Sequence, residues 1–162
     1  DTELGRWLAT RNTMLRIGRN LFVHAGLSAR LLERDLEMDT LNARMSEGLY
    51  RTSKERREDP TLEFLYRSAG PVWYRGMVCA DEKYDPLTPE QTDALLRRYD
   101  ADRLLVGHTI FPDISTFHDG RVIAINVQNE LNRRKNRDRA VLIEGSRISV
   151  VGNRGVKRVL EE

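Results

Sequence analysis

The sequence predicts an α/β or α+β domain, one β-sheet with covering helices. Three observations predict it. Short apolar runs bounded by turn residues alternate with stretches of helical periodicity. No internal repeat or low-complexity segment interrupts them. At 162 residues, with 40% hydrophobic and 32% charged residues, the chain is long enough to close one core without disulfides.

Each element has a local reason. Thr2 is placed to cap a short first helix in which Leu4 and Leu8 share a face. Met14 to Ile17, a Gly18-Arg19-Asn20 turn and the run Leu21-Phe22-Val23 make a hairpin whose second strand delivers His24. From Ser28 to Arg57, Leu31, Leu32, Leu36, Leu41, Met45 and Leu49 recur at helical intervals. That spacing predicts an amphipathic helical region broken near Met38, with Asp39 capping a second helix and Glu58-Asp59-Pro60 ending it. A short helix through Leu62 and Leu65 precedes a Gly70-Pro71 break. Thr88-Pro89-Glu90-Gln91 is a strong helix start, and the helix should reach about Tyr99 with Leu95 and Leu96 inward.

Leu104-Leu105-Val106 then reads as a buried strand ending at Gly107-His108-Thr109. Ile114 to Phe117 and Val122 to Val127 flank a His118-Asp119-Gly120 turn, and Ala140 to Glu144 pairs through Gly145-Ser146 with Arg147 to Val151. Residues 1–152 are expected to form the domain and residues 153–162 a charged, frayed tail.

Composition excludes several classes. The 27 basic residues nearly balance 25 acidic ones, so no chain-wide field favours nucleic acid, and no specific nucleic-acid partner is expected. Two basic runs, Arg51 to Arg57 and Arg133 to Arg139, are interrupted by Glu55, Asn136 and Asp138 and read as solvated surface. No apolar run approaches the roughly 18 residues of a membrane span. The lone Cys79 excludes an internal disulfide and a multi-cysteine zinc site, and it is compatible with either cytoplasm or periplasm. The opening Asp1 to Leu8, with no initiator Met, reads as the interior of a longer protein.

The chemistry-bearing pattern is a repeated one. Two apolar strands each end in a histidine beside small residues: Leu21-Phe22-Val23-His24-Ala25-Gly26 and Leu104-Leu105-Val106-Gly107-His108-Thr109. In sheets with helical crossovers, ligands bind outside the carboxyl ends of strands, and neutral imidazole is a common metal ligand. The plain alternative is a pair of ordinary histidines satisfied by backbone carbonyls. His118, in a tight turn, is expected to be exposed and structural. In Pro71-Val72-Trp73-Tyr74-Arg75-Gly76, Arg75 could offer a bidentate fork to phosphate, with Gly76 giving room for the approach; alternatively it is a surface arginine beside a core Trp. The sequence has no P-loop, dinucleotide fingerprint, G-x-S-x-G elbow or His-Glu-x-x-His.

Taken in order, Leu-Phe-Val-His-Ala-Gly-Leu-Ser, Gly-Pro-Val-Trp-Tyr-Arg-Gly and Leu-Leu-Val-Gly-His-Thr followed by Gly-Arg-Val-Ile-Ala-Ile-Asn, the chain resembles the C-terminal half of bacterial calcineurin-like metallophosphoesterases, relatives of serine/threonine phosphatases. The likeness spans roughly residues 1–150 and includes the opening segment from Asp1 to Leu8. It implies a phosphate-ester hydrolase built as a four-layer αββα sandwich, of which this chain is half. It also implies that His24 and His108 are ligands in a site with two divalent ions (manganese, iron or zinc), and that Arg75 faces the phosphoryl oxygens of a protein, nucleotide or small ester. The family's carboxylate motifs and proton donor would lie upstream of Asp1, so this segment is expected to be inactive alone, to lack an N-terminal half and to expose an apolar face open to self-association. Ala25 replaces a more usual glycine, and Asn126 stands where many relatives have aspartate. A non-catalytic module that binds a phosphorylated ligand or partner is the alternative function.

Overall fold

In the computed structural model, residues 2–34 and 36–161 are described; Asp1 and Glu162, which open the expected domain and close the expected tail, lie outside them. The first helix, α1 (Glu3–Ala9), is capped by the Thr2 hydroxyl, which accepts from the Gly5 amide at 3.1 Å, yet buries none of its residues. The hairpin follows, β1 (Met14–Ile17) and β2 (Asn20–Val23), closed by a two-residue turn in which Gly18 takes φ 58°. That left-handed value strains any residue with a Cβ.

Between β2 and the next strand lies the helical crossover: α2 (Met38–Gly48), α3 (Ser53–Glu58), α4 (Pro60–Tyr66) and α5 (Pro89–Arg98). Two of these begin in full capping boxes, Thr52 with Glu55 and Thr88 with Gln91, and Asp59 caps α4 ahead of Pro60. The chain then forms β3 (Arg103–Val106), β4 (Ser115–Phe117), β5 (Val122–Ala124), α6 (Asn129–Arg134), β6 (Ala140–Glu144), β7 (Arg147–Val151) and β8 (Lys157–Glu161).

Two sheets result. The larger has the order β1-β2-β3-β5-β4, with β2, β3 and β5 parallel and the outer strands antiparallel; the smaller is the antiparallel meander β6-β7-β8. Strand alternation sorts the core into two parts. Met14, Leu21, Val23, Leu104, Val106, Val122 and Ala124 face the helices, where they join Leu41, Met45, Leu95 and Leu96. Leu105 and Ile123 face the other way and pack against Ile148 and Val150 of the small sheet.

The α/β class and the helix-covered sheet match the sequence reading, but the single sheet is corrected to two. The expected half of an αββα sandwich is not what forms: helices cover one face of the large sheet, and the meander covers part of the other. From Ser28 to Glu37, expected to be helical, the described residues form a 3-10 turn at Ala29–Leu31 and no α-helix, and α2 is capped at Glu37 rather than Asp39. Leu31 reaches the core from that 3-10 turn and Leu36 from irregular backbone, so their spacing reflects burial and not an α-helix. Residues 157–161, expected to fray, pair with β7.

Candidate functional site

Parallel pairing of β2 with β3 puts Val23 opposite Val106, so the residues that follow each strand leave the same edge of the sheet side by side. The Gly107 amide donates to the His24 carbonyl at 2.9 Å, extending the ladder one step past the strands. His24 Nε2 and His108 Nδ1 are then 3.0 Å apart and share a hydrogen bond, although the residues are 84 positions apart in the chain. The rings meet edge-on, with centroids 4.9 Å apart.

His108 sits at φ 56°, and the Thr109 amide donates back to the Gly107 carbonyl at 2.6 Å, which makes a three-residue turn centred on His108. Such a φ on a non-glycine costs roughly 1 kcal/mol or more and is tolerated where surrounding bonds hold it. Here Gly107 and Thr109 both supply such bonds. His24 is exposed, His108 half-buried, and His108 Nε2 is buried with no hydrogen-bond partner. Burial pushes the His108 pKa down, and the nearby charges of Arg75 and His24 push the same way. The ring is therefore neutral near pH 7.

The 71–76 segment delivers Arg75 to this pair. The Pro71 carbonyl accepts from the Ala25 and Gly26 amides at 2.9 and 3.4 Å, pinning the segment to the chain that leaves β2. Tyr74 is buried in the helical-face core and donates its hydroxyl to the Asp85 carbonyl; burial raises its pKa. With Tyr74 fixed inward, Trp73 and Arg75 flank it. Arg75 donates from Nη1 to Thr109 Oγ1 at 2.9 Å, which ties it to the turn that holds His108. Gly76 has a different purpose from the one expected. A Cβ there would lie 2.2 Å from the Tyr74 hydroxyl oxygen and 2.5 Å from the Asp85 carbonyl oxygen, so its smallness admits the tyrosine anchor.

The structure thus brings together His24, His108 and Arg75. Two neighbours escaped sequence reasoning: Thr109, and Trp73, whose ring stands edge-on to His108 at 5.6 Å and 89°. The available signal for Trp73 was its position, one of two residues flanking a buried tyrosine. His118 is structural, as expected, but half-buried: its ring nitrogens bond the Met77 carbonyl at 3.0 Å and the Thr92 hydroxyl at 3.2 Å. Asn126 contributes its backbone carbonyl to the Phe111 amide at 2.9 Å. Cys79 packs against the helical-face core.

No family model and no curated protein matches the sequence. Solved structures do. A cold-active protein tyrosine phosphatase is similar over 100% of this chain and 46% of its own, with TM-score 0.86 and 28% identity. A point mutant of a cold-active protein tyrosine phosphatase and a cold-active protein-tyrosine phosphatase of the psychrophile Shewanella sp. are each similar over 99% of this chain and 46% of theirs, with TM-score 0.85 and 27% identity. The chain therefore spans about half the length of the solved structures it matches.

These findings correct two expectations. The kinship inferred from the motifs, with calcineurin-like metallophosphoesterases of the serine/threonine type, gives way to likeness with proteins named as tyrosine phosphatases. The pair of manganese, iron or zinc ions inferred with it is corrected too. His24 and His108 bond each other, so one ring's lone pair is taken by the other's N–H. Among the described residues no group of three or more His, Cys, Asp or Glu could hold a metal ion. This donor set does not fit a dinuclear centre, whose two ions need bridging and neutralising carboxylates.

Proposed function

We propose that the protein carrying this chain is a phosphatase that hydrolyses phosphate esters of protein tyrosine residues, with His24, His108 and Arg75 forming a phosphate-facing part of its active site. One observation carries the reading: residues from three separate segments converge at the carboxyl edge of β2 and β3, where two imidazoles touch and a guanidinium is tethered beside them. Likeness to tyrosine phosphatases along the whole chain supports the same reading.

The chemistry follows from the side chains. Arg75 is fixed by one nitrogen to Thr109, and its remaining N–H groups can fork onto two phosphoryl oxygens. A planar, permanently charged donor stabilises the charge that builds on those oxygens as the ester bond breaks. His108 stays neutral beside it and, through Nδ1, holds the exposed His24 ring at the same edge.

Turnover of a phosphotyrosine peptide by the full-length protein, beside a phosphoserine peptide of the same sequence, tests the proposal. Replacing Arg75 with Ala should lower kcat/KM by about ten- to a thousandfold, the range for losing one charge-stabilising donor, with an unchanged melting temperature. Normal kinetics with a lower melting temperature would assign Arg75 to packing. Binding without turnover in the unsubstituted protein would favour the non-catalytic module instead.

A further inference from the structure

Trp73 is an exposed large aromatic at the rim of the site, with 55% of its surface open, while Tyr74 beside it is 3% exposed. Core burial of Tyr74 is what turns Trp73 outward. Its ring stands at 89° to that of His108, centroids 5.6 Å apart, so a half-exposed indole lies next to the position where Arg75 and the imidazole pair would meet a phosphate. A flat ring beside a phosphate site suits a flat substrate side chain.

Two grooves diverge from Trp73, of about 530 and 610 Å³. The first is lined by Arg30, Arg67, Arg75 and Lys83, with Asp85. Arg56, Arg57 and again Arg67 line the second, with Glu63. Six basic side chains thus face two acidic ones here, although the whole chain carries only +2. Partial neutralisation is visible: Arg67 pairs with Glu63 at 3.6 Å, and Lys83 with Asp81 at 2.8 Å. Arg56 is held on the groove wall by stacking on Tyr66, its guanidinium 4.5 Å from the ring centre. The surplus remains positive on both sides of Trp73.

We infer that Trp73 is the specificity-determining platform of this site: it stacks on the aryl ring of a phosphorylated tyrosine, while the two basic grooves take acidic residues before and after it in an extended peptide. The inference rests on the proposed phosphatase reading for where the phosphate lies, and it names the substrate class, an acidic phosphotyrosine peptide. Complementary charge on both arms steers and orients the peptide, and the ring contact discriminates tyrosine from serine.

The experiment uses the full-length protein and peptides that carry an extrinsic fluorescent label. Binding is followed by fluorescence and turnover by phosphate release, with acidic phosphotyrosine, acidic phosphoserine and basic phosphotyrosine peptides. Trp73→Ala should weaken the acidic phosphotyrosine peptide by about threefold to tenfold, the range for one aromatic pair, and leave the phosphoserine peptide within about twofold. Trp73→Phe should restore most of the loss. Arg56→Gln with Arg57→Gln should shrink the preference for acidic over basic flanks and flatten its salt dependence. Equal loss for both phosphorylated residues, or no loss, would overturn the platform; an unchanged flank preference would overturn the grooves. The two readings separate cleanly. Absence of turnover with intact Trp73-dependent binding removes the phosphatase and keeps the platform, whereas turnover indifferent to Trp73 does the reverse.

Discussion

The two faces of the five-stranded sheet are made by the same strands, yet they end differently. Toward the helices, Met14, Leu21, Val23, Leu104, Val106, Val122 and Ala124 are all closed off. On the opposite face, Leu105 and Ile123 are closed by Ile148 and Val150, but at the outer strand β1 and just past the end of β5 the cover stops. There Leu15 is 44% exposed, Ile17 60% and Ile125 38%, and Leu15 and Ile125 line an open groove of about 660 Å³ that also reaches Leu8, Phe22, Leu49 and His24. Apolar alternation is equally regular on both sides. What differs is how much chain is available to cover each one, so burial here is decided by the cover and not by the strand. The candidate site lies between these regimes, on the edge where the two faces meet.

The largest effect should come from the closed face. Leu104 is fully buried, and Leu104→Ala should cost about 2–5 kcal/mol, read as a lower urea midpoint. A milder change under the small sheet, Ile148→Val, should cost only about 0.5–1.5 kcal/mol. If Ile148→Val proved as costly as Leu104→Ala, the two faces would be one cooperative core, and the contrast drawn between them would fail.

Much of this arrangement was legible in the sequence because it is written locally. The Gly18 turn, the Thr88 capping box and the Gly145-Ser146 hairpin each depend on a few adjacent residues. The histidine pair was legible for a different reason: both residues end an apolar strand in the same setting, so parallel pairing alone brings them together. What was missed depends on distant partners. Thr109 meets Arg75 across 34 residues with no pattern to announce it, and Lys157–Glu161 looks like a charged tail until β7 supplies its ladder. Leu31 and Leu36 mimic α-helical spacing while plugging the core from a 3-10 turn and from a loop. The metal reading overreached because motif resemblance was carried from two histidines to a whole centre, for which the described residues hold no complete donor set.

On the edge between the faces, His108 should make stability depend on pH. Its folded pKa lies below the ordinary 6.5, first through burial and then through Arg75 and His24. Between the lowered value and 6.5 the unfolded chain binds more protons than the folded one, so stability rises with pH through that window. The contribution is whole above the ordinary value and is lost as pH falls below it. Unfolding midpoints measured from about pH 7.5 down to about pH 5.5 should fall, and His108→Asn should reduce the slope. Asn also tolerates the left-handed backbone of that turn, so the substitution removes the imidazole without forcing the chain to move. An identical slope in the variant would move the titration elsewhere.

The smallest effect on folding should come from the open face, and it is the sharpest test of the comparison. Leu15→Thr combined with Ile17→Thr places β-branched residues at both positions of strand β1 and removes half-exposed apolar surface. Because these side chains are already wet, little transfer free energy is lost, and stability should change by no more than about 0.5 kcal/mol. Their effect should fall on association instead. Contiguous exposed apolar surface favours burial against another chain, and self-association of this chain through that face is the expected outcome. Light scattering over a concentration series should show assemblies for the unsubstituted chain and a monomer for the double variant. Loss of stability comparable to Leu104→Ala would mean that the open face is part of the core after all. Monomers in both samples would leave the uncovered residues without a role in self-association.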